Sequence, residues 1–290
     1  MNILENELLA RYTTFHMGGI VKKMYIPQNV DELLRLMGSN PQAFDYCIGG
    51  GSNLLINDEA VFDEAVNLRE FNKRFENLGG GKFYIGASVR LQKAINSINE
   101  LEYGGIEYLF SVPGLIGGAI YMNAGRGKTY HQCLSDYILE VEALVDGKVV
   151  TFKKDDCGFS YRKSIFQELN KCIILGATFA FDNVPKEESQ RRKKERIDHC
   201  KQCQDNSAYN FGTVFCKANK IVMEFVRLTS RKQKAVSFSA KTRNWLLNDG
   251  TGKFSDTIGE MNRVKRLHGY LGLPCQEEVV IWGSGCAPFL

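Results

Sequence analysis

The chain has 290 residues, of which 44% are hydrophobic and 24% charged, and its net charge at pH 7 is +4. This length allows two or three domains with a real core, and the composition is ordinary for a globular protein. No run of about eighteen uncharged apolar residues exists, so we expect no membrane span. Residues 1–7 are acidic and lack the basic start and apolar stretch of a secretory signal. Nine cysteines in such a chain indicate reduced thiols and a cytoplasmic location.

The first half of the chain contains short helices and strands. Residues 30–37 place apolar side chains at helical spacing, and Gly38 closes the pattern, which predicts a helix. The other predicted elements of this half are strands at 45–48, 65–68 and 83–87, a hairpin that starts at Phe75 and turns at 79–81, and a helix at 91–101.

The second half begins with a clear hairpin pattern. Residues 137–152 alternate between apolar and polar side chains and turn at Asp146-Gly147, which predicts two antiparallel strands. After Pro185 the composition becomes charged and helical, so we place a domain boundary near residue 183. The remaining predictions are a strand at 172–181, a smaller α+β segment at 208–272 and a last strand at 279–282. The predicted fold class is α+β with mixed sheets.

Two glycine-rich runs carry most of the functional information. One is Gly-Gly-Gly-Ser-Asn at 49–53, between apolar residues, and the other places four glycines within the apolar stretch 112–125. A backbone without Cβ atoms can approach a ligand closely, and successive N–H groups suit a pyrophosphate. The first run matches neither the Rossmann nor the Walker pattern. The first run alone fits an ordinary turn equally well, but the two together favour a large phosphate-bearing ligand.

Two further runs are interpreted as structural. The basic run at 191–196 follows an acidic turn at 186–188, as on a solvated helix, so we expect no nucleic-acid partner. Cys200 and Cys203 form a C-x-x-C motif after His199, but Cys216 is the only nearby candidate for a further ligand, and we expect no metal site. The isolated cysteines are interpreted as small core residues: Cys47, Cys133, Cys157, Cys172, Cys275 and Cys286.

Seven motifs, collinear over almost the whole chain, resemble those of the UDP-N-acetylenolpyruvoylglucosamine reductase family. Each motif is weak alone, but seven in the family's order are specific. They are TTFHMGG at 13–19, GGGSNL at 49–54, the stretch from GIE at 105–107 through PG and GGA to NAG at 123–125, FSYRKSIF at 159–166, KQ at 201–202, GTVF at 212–215 and EVVIWG at 278–283.

The resemblance implies the FAD-binding fold of the vanillyl-alcohol-oxidase/p-cresol-methylhydroxylase class with a smaller α+β substrate domain. Residues 1–183 would bind FAD in two subdomains that divide near residue 60, residues 195–270 would bind substrate, and 271–290 would return to the flavin domain. The implied enzyme is a flavin-dependent oxidoreductase. It uses NADPH and FAD to reduce the enolpyruvyl ether of UDP-N-acetylglucosamine enolpyruvate to UDP-N-acetylmuramate, a peptidoglycan precursor. The partner is then a UDP-sugar, and the oligomeric state stays open.

The resemblance also implies roles for individual residues. Arg162 and Glu278 would stabilise the charge that develops on the substrate, with Glu277 as the alternative to Glu278, and Thr213 would donate a proton. The implied substrate contacts are Tyr161, Lys201 and Lys217. The implied FAD contacts are Gly49, Gly50, Gly51, Ser52, Asn53, Leu54, Pro113, Gly117, Gly118, Asn123 and Gly125.

The chain departs from the family pattern mainly on the substrate side. Thr213 replaces a serine, which keeps the hydroxyl but adds a methyl group that stiffens χ1. Leu115 replaces the serine that follows Pro-Gly, and residues 216–218 read Cys-Lys-Ala in place of Lys-Asn-Pro. Three interpretations stay open: a divergent reductase, an FAD-binding paralogue with a different substrate or a non-catalytic role, and a nucleotide-sugar binding module without flavin.

Overall fold

The computed structural model describes residues 1–126, 132–230 and 235–283. Within these residues the helices are α1 (Val30–Ser39), α2 (Leu91–Glu100), α3 (Ile116–Tyr121), α4 (Lys186–Cys203), α5 (Lys220–Thr229) and α6 (Phe254–Tyr270). The strands are β1 (Asn2–Leu8), β2 (Ile20–Ile26), β3 (Cys47–Ile48), β4 (Leu54–Ile56), β5 (Val61–Asn67), β6 (Phe75–Gly79), β7 (Lys82–Gly86), β8 (Tyr103–Gly104), β9 (Ile138–Val145), β10 (Lys148–Lys153), β11 (Ile173–Ala180), β12 (Asp182–Asn183), β13 (Phe215–Lys217), β14 (Val236–Phe238), β15 (Leu246–Asn248), β16 (Gln276–Glu277) and β17 (Val280–Trp282).

The first sheet has the strand order β1-β2-β5-β3. Strand β2 pairs antiparallel with β1 and parallel with β5, and β3 pairs parallel with β5. Our sequence analysis predicted neither β1 nor β2. Strand β1 buries none of its side chains fully, so it lacks the apolar alternation that identifies a half-buried strand. Backbone pairing with β2 holds it at the sheet edge.

The second sheet is antiparallel throughout, in the order β10-β9-β11-β7-β6. The predicted turn at Asp146-Gly147 joins β9 to β10, and both residues have positive φ, as this type of hairpin turn requires. The predicted glycine-rich hairpin is formed by β6 and β7, and the predicted strand at 172–181 is β11. These three predictions are confirmed, with ends that shift by one or two residues.

Two local predictions need correction near α1. The helix does not stop at Gly38 but continues to Ser39, because the N–H of Asn40 still donates to the carbonyl of Leu36. The strand predicted at 45–48 is shorter, since residues Pro41–Asp45 form a 3-10 turn and only Cys47–Ile48 pair with β5.

Three hydrophobic clusters form the core. The largest joins the second sheet to α1, α2 and α3, and the second gathers residues from 211–279 around Phe15 and Met17. The third surrounds Trp282, on β17, which pairs in parallel with β4 so that Val280 lies opposite Leu54. The last strand therefore lies beside the first glycine run, while the division into domains stays a prediction. In the described residues, no helix combines the length and the apolar character that crossing a membrane requires.

Candidate active site

The two glycine runs meet at the wall of a cavity of about 610 Å³. A Cβ built on Gly50 would lie only 2.8 Å from the Cα of Gly114, so the two backbones are in direct contact. Ser52 Oγ donates to the carbonyl of Pro113 at 3.0 Å and ties the runs together. Two segments that are distant in the sequence thus form one backbone surface.

This backbone surface forms a cradle in which two glycines stand where neighbouring residues leave no room for a Cβ. Gly51 has a φ of +67°, and a Cβ there would lie 1.8 Å from the carbonyl oxygen of Tyr12. A Cβ on Gly117 would lie 2.9 Å from that of Ala87. Only glycine fits at both positions. A cradle with bare peptide groups and a long cavity suits an extended phosphate-bearing cofactor such as FAD.

Arg162 and Glu278 form a half-buried ion pair at the cavity. Arg162 Nε lies 2.8 Å from Glu278 Oε1, and the two side chains are 20% and 11% exposed. Arg162 has a φ of +60°, in a tight turn where Ser160 and Lys163 exchange backbone hydrogen bonds. A non-glycine residue in this conformation carries strain, which is often found at functional sites.

The carboxyl of Glu278 is largely buried. Burial raises its pKa above the ordinary value, and the nearby Arg162 guanidinium only partly offsets that rise. Among the described residues, Glu278 Oε2 is buried and has no hydrogen-bond partner. A buried polar atom without a hydrogen bond destabilises the folded protein, so we expect a polar group of a bound ligand to pair with this oxygen.

Two hydrogen bonds connect the backbone of Glu278 to the residue after Thr213 and to the first glycine run. The N–H of Glu278 donates to the carbonyl of Val214 at 2.8 Å, and Asn53 Nδ2 donates to the carbonyl of Glu278 at 3.0 Å. Thr213 precedes Val214 and lines the cavity, as do Arg162 and Glu278. The three residues predicted to be catalytic are therefore neighbours, although their roles stay predictions.

Most of the predicted ligand contacts line the cavity, and three do not. Asn123 is buried and supports the Arg162 turn, because its Nδ2 donates to the carbonyl of Ser160 at 3.0 Å. Tyr161 lies beneath the Arg162 guanidinium, and Lys217 is exposed on β13. The predicted ligand contacts that line the cavity are Gly49, Gly50, Gly51, Ser52, Asn53, Leu54, Pro113, Gly117, Gly118, Gly125 and Lys201.

The charged helix α4 is more than a solvated helix. Its last turns line the cavity through Arg196 and Cys200, and both contact Ser111: Arg196 Nε donates to Ser111 Oγ at 2.8 Å and the Cys200 thiol at 3.1 Å. Sequence periodicity could not reveal this, since the helix is strongly charged all round. Cys203, the other half of the C-x-x-C motif, is exposed.

The isolated cysteines occupy different environments. Cys157 is buried in the core, whereas Cys47 and Cys172 are half-buried and line the cavity. Burial raises the pKa of the Cys172 thiol to about 12, so this group remains a neutral thiol at physiological pH. Cys133 and Cys275 are half-buried, and Cys286 lies outside the described residues.

Comparison with known proteins identifies the family, although no model of a protein family matches the chain. The UDP-N-acetylenolpyruvoylglucosamine reductase of Carboxydothermus hydrogenoformans is 30% identical over 275 residues, which cover 91% of this chain and 88% of the relative. The reductase of the same name from Leptospira interrogans is 30% identical over 297 residues, covering 95% and 90%. The chain belongs to this family.

A solved reductase has the same fold. The crystal structure of UDP-N-acetylenolpyruvylglucosamine reductase from Thermus caldophilus aligns with a TM-score of 0.79 and 26% identity, covering 97% of this chain and 99% of that chain. Membership of the UDP-N-acetylenolpyruvoylglucosamine reductase family, the α+β fold class and the class of enzyme, an oxidoreductase, are thereby confirmed.

Proposed function

We propose that this protein reduces the enolpyruvyl ether of UDP-N-acetylglucosamine enolpyruvate to UDP-N-acetylmuramate, with FAD as cofactor and NADPH as reductant. The observation that carries the proposal is the meeting of Arg162, Glu278 and Thr213 at the cavity that both glycine runs enclose. The product is a peptidoglycan precursor, and we place the reaction in the cytoplasm. As part of the proposal, residues 1–183 bind FAD and residues 195–270 bind substrate.

The residues present fit FAD. The peptide groups of Gly50, Gly51 and Ser52 would hold its diphosphate, and the contact between Gly50 and Gly114 sets the width of the cradle. When bound, FAD supplies the redox chemistry, since it can take a hydride from NADPH and pass a hydride to the outer carbon of the enol ether. The chain itself must then manage the charge and the proton.

Arg162 and Glu278 would act on the substrate carboxylate. Addition of hydride to the outer carbon leaves negative charge on Cα and on the carboxylate. A fixed guanidinium stabilises that charge, and burial raises the pKa of the Glu278 carboxyl, which favours the acid form that can donate a hydrogen bond to the substrate. The reaction is complete when Cα receives a proton, so that the double bond becomes a saturated lactyl ether and NADPH becomes NADP⁺.

Thr213 would supply that proton. Thr213 stands in place of the family's serine, and it precedes Val214, whose carbonyl accepts a hydrogen bond from the N–H of Glu278. A hydroxyl is a weak acid, but the carbanionic Cα is a far stronger base than the alkoxide that the hydroxyl would leave behind. Proton transfer therefore depends more on the position of the hydroxyl than on a lowered pKa.

Replacing Gly50 with valine is expected to abolish flavin retention. The new Cβ would meet the Cα of Gly114 at 2.8 Å, and this backbone cannot move aside without opening the cradle. The flavin-to-protein ratio after gel filtration measures the effect. Gly38→Ala is the control, because a Cβ at Gly38 meets nothing within 4 Å. Full flavin retention in Gly50→Val would contradict the assignment of the cradle.

The proposal as a whole is tested by steady-state oxidation of NADPH. We expect the purified protein to show the visible absorbance of bound flavin, and to oxidise NADPH in proportion to added UDP-N-acetylglucosamine enolpyruvate. UDP-N-acetylglucosamine, which lacks the enol ether, is the control substrate. A flavin-bound protein that oxidises NADPH equally with either compound would favour the paralogue with another role. A protein without flavin would favour the nucleotide-sugar binding module.

A further inference from the structure

Arg69 contacts the first glycine run from behind. Its Nε donates to the carbonyl of Gly49 at 2.8 Å, and its Nη2 donates to the carbonyls of Tyr12 at 2.7 Å and Gly50 at 3.3 Å. The guanidinium also lies 5.4 Å from the centre of the Tyr12 ring. Arg69 lies two residues after the end of β5, and its own N–H donates to the side chain of buried Asn67 at 3.1 Å. The position of the guanidinium is thus set by the first sheet.

These contacts decide which way the peptide groups of the run face. In a planar trans peptide the C=O and the following N–H point in opposite directions. Because Arg69 holds the carbonyls of Gly49 and Gly50, the N–H groups of Gly50 and Gly51 turn away from it. The N–H of Thr14 donates to the carbonyl of Gly51 at 3.0 Å. The N–H of Ser52 belongs to the same peptide group as that carbonyl, so it points away from Thr14.

Three successive N–H groups are therefore aligned and unused within the chain. In the described part of the chain, the N–H groups of Gly50, Gly51 and Ser52 donate no hydrogen bond, and all three residues line the cavity. Such a row of backbone donors is an anion-binding nest. An unanchored Gly-Gly-Gly segment would sample many conformations, so the nest needs a residue that fixes it.

We propose that Arg69 is a positioning residue that fixes the peptide planes of residues 49–52, and so prepares their N–H groups for a diphosphate. The inference rests on the proposed function, in which that diphosphate belongs to FAD. A flat guanidinium can donate along several directions at once, whereas an ammonium is a compact point charge. Arg69 acts through this geometry, and its positive charge behind the nest is a lesser contribution.

Arg69→Lys and Arg69→Gln test geometry against charge. Both variants are expected to weaken FAD binding by about 10- to 100-fold, the range for losing hydrogen bonds from a charged group. The dissociation constant is measured by titrating the flavin-stripped full chain with FAD, at a temperature where circular dichroism shows each variant folded. The matched control is Arg74→Lys, because Arg74 is an exposed arginine paired with Glu76.

A spectroscopic signature separates positioning of the diphosphate from a general loss of structure. At saturating FAD, the ³¹P resonances of the diphosphate should shift in Arg69→Lys, while the visible absorbance band of the isoalloxazine keeps its position. If Arg69→Lys binds FAD as the parent does, charge alone suffices and the proposal fails. Unchanged ³¹P resonances would also overturn it. A parent chain that binds no FAD would instead overturn the proposed function, and this inference with it.

Discussion

Thr213→Ala is expected to slow reoxidation of the reduced enzyme by UDP-N-acetylglucosamine enolpyruvate by about 10²-fold or more, the scale of a lost general acid. The reason is that this step needs a proton at Cα, and Thr213, which lines the cavity, is the proposed donor. Reduction of the enzyme by NADPH involves no such proton and should be nearly unchanged. Stopped-flow absorbance resolves the two half-reactions.

Thr213→Ser is the matched control for this prediction. It keeps the hydroxyl and removes only the methyl group, which stiffens χ1. Its reoxidation rate should equal or exceed that of the parent. An alanine variant that is reoxidised as fast as the parent would mean that the hydroxyl is structural. Failure of both the parent and the serine variant to react would support a non-catalytic relative.

Glu278→Ala is expected to reduce the rate of the same half-reaction by about 10²- to 10³-fold, as when one stabilising donor is removed from a developing anion. Glu278→Gln should have a smaller effect, because its amide still donates a hydrogen bond. The two variants also differ from the parent in pH dependence. Since the pKa of Glu278 is raised by burial, its acid form persists to higher pH than an exposed glutamic acid. The parent rate should fall as pH rises through that raised pKa, and the glutamine variant should lose this fall.

Glu277→Gln is the control for Glu278. Glu277 is the alternative at this position of the motif, but its carboxylate lies 3.1 Å from Lys265 Nζ in an exposed ion pair. Its replacement should change neither the rate nor the pH profile, because an exposed pair contributes little. If the Glu277 variant loses activity and the Glu278 variants do not, the assignment of the two residues must be exchanged.

Local sequence patterns were enough to predict the hairpin at Asp146-Gly147, the helices α1 and α2 and the glycine runs. Each of these depends on a local property, such as a positive φ or an apolar spacing of three and four residues. The shared chemistry of the two runs suggested that they bind one ligand, but it did not predict the contact between Gly50 and Gly114. Its geometry depends on the fold of the whole chain, which short-range patterns do not encode.

The residues that sequence reasoning missed act through long-range contacts. Arg69 comes shortly after an ordinary strand, and only the fold shows that its guanidinium donates to the carbonyls of Gly49 and Gly50, the contacts on which its proposed role rests. Arg196 lies in a charged helix whose surface gives no sign that one side faces a cavity. Conversely, Lys217 stands at the motif position where the family has asparagine, yet its side chain is exposed on β13. Its predicted contact with substrate therefore stays a prediction.

The central claim is that the site of Arg162, Glu278 and Thr213 reduces an enolpyruvyl ether. Its most direct test is a single-turnover reaction under anaerobic conditions, in which the protein is first reduced with one equivalent of NADPH and then mixed with UDP-N-acetylglucosamine enolpyruvate. We predict that the absorbance of oxidised flavin returns and that one UDP-N-acetylmuramate forms per flavin. In deuterated water the product should carry deuterium at Cα. A reduced, flavin-loaded protein that stays reduced in the presence of this substrate would contradict the account.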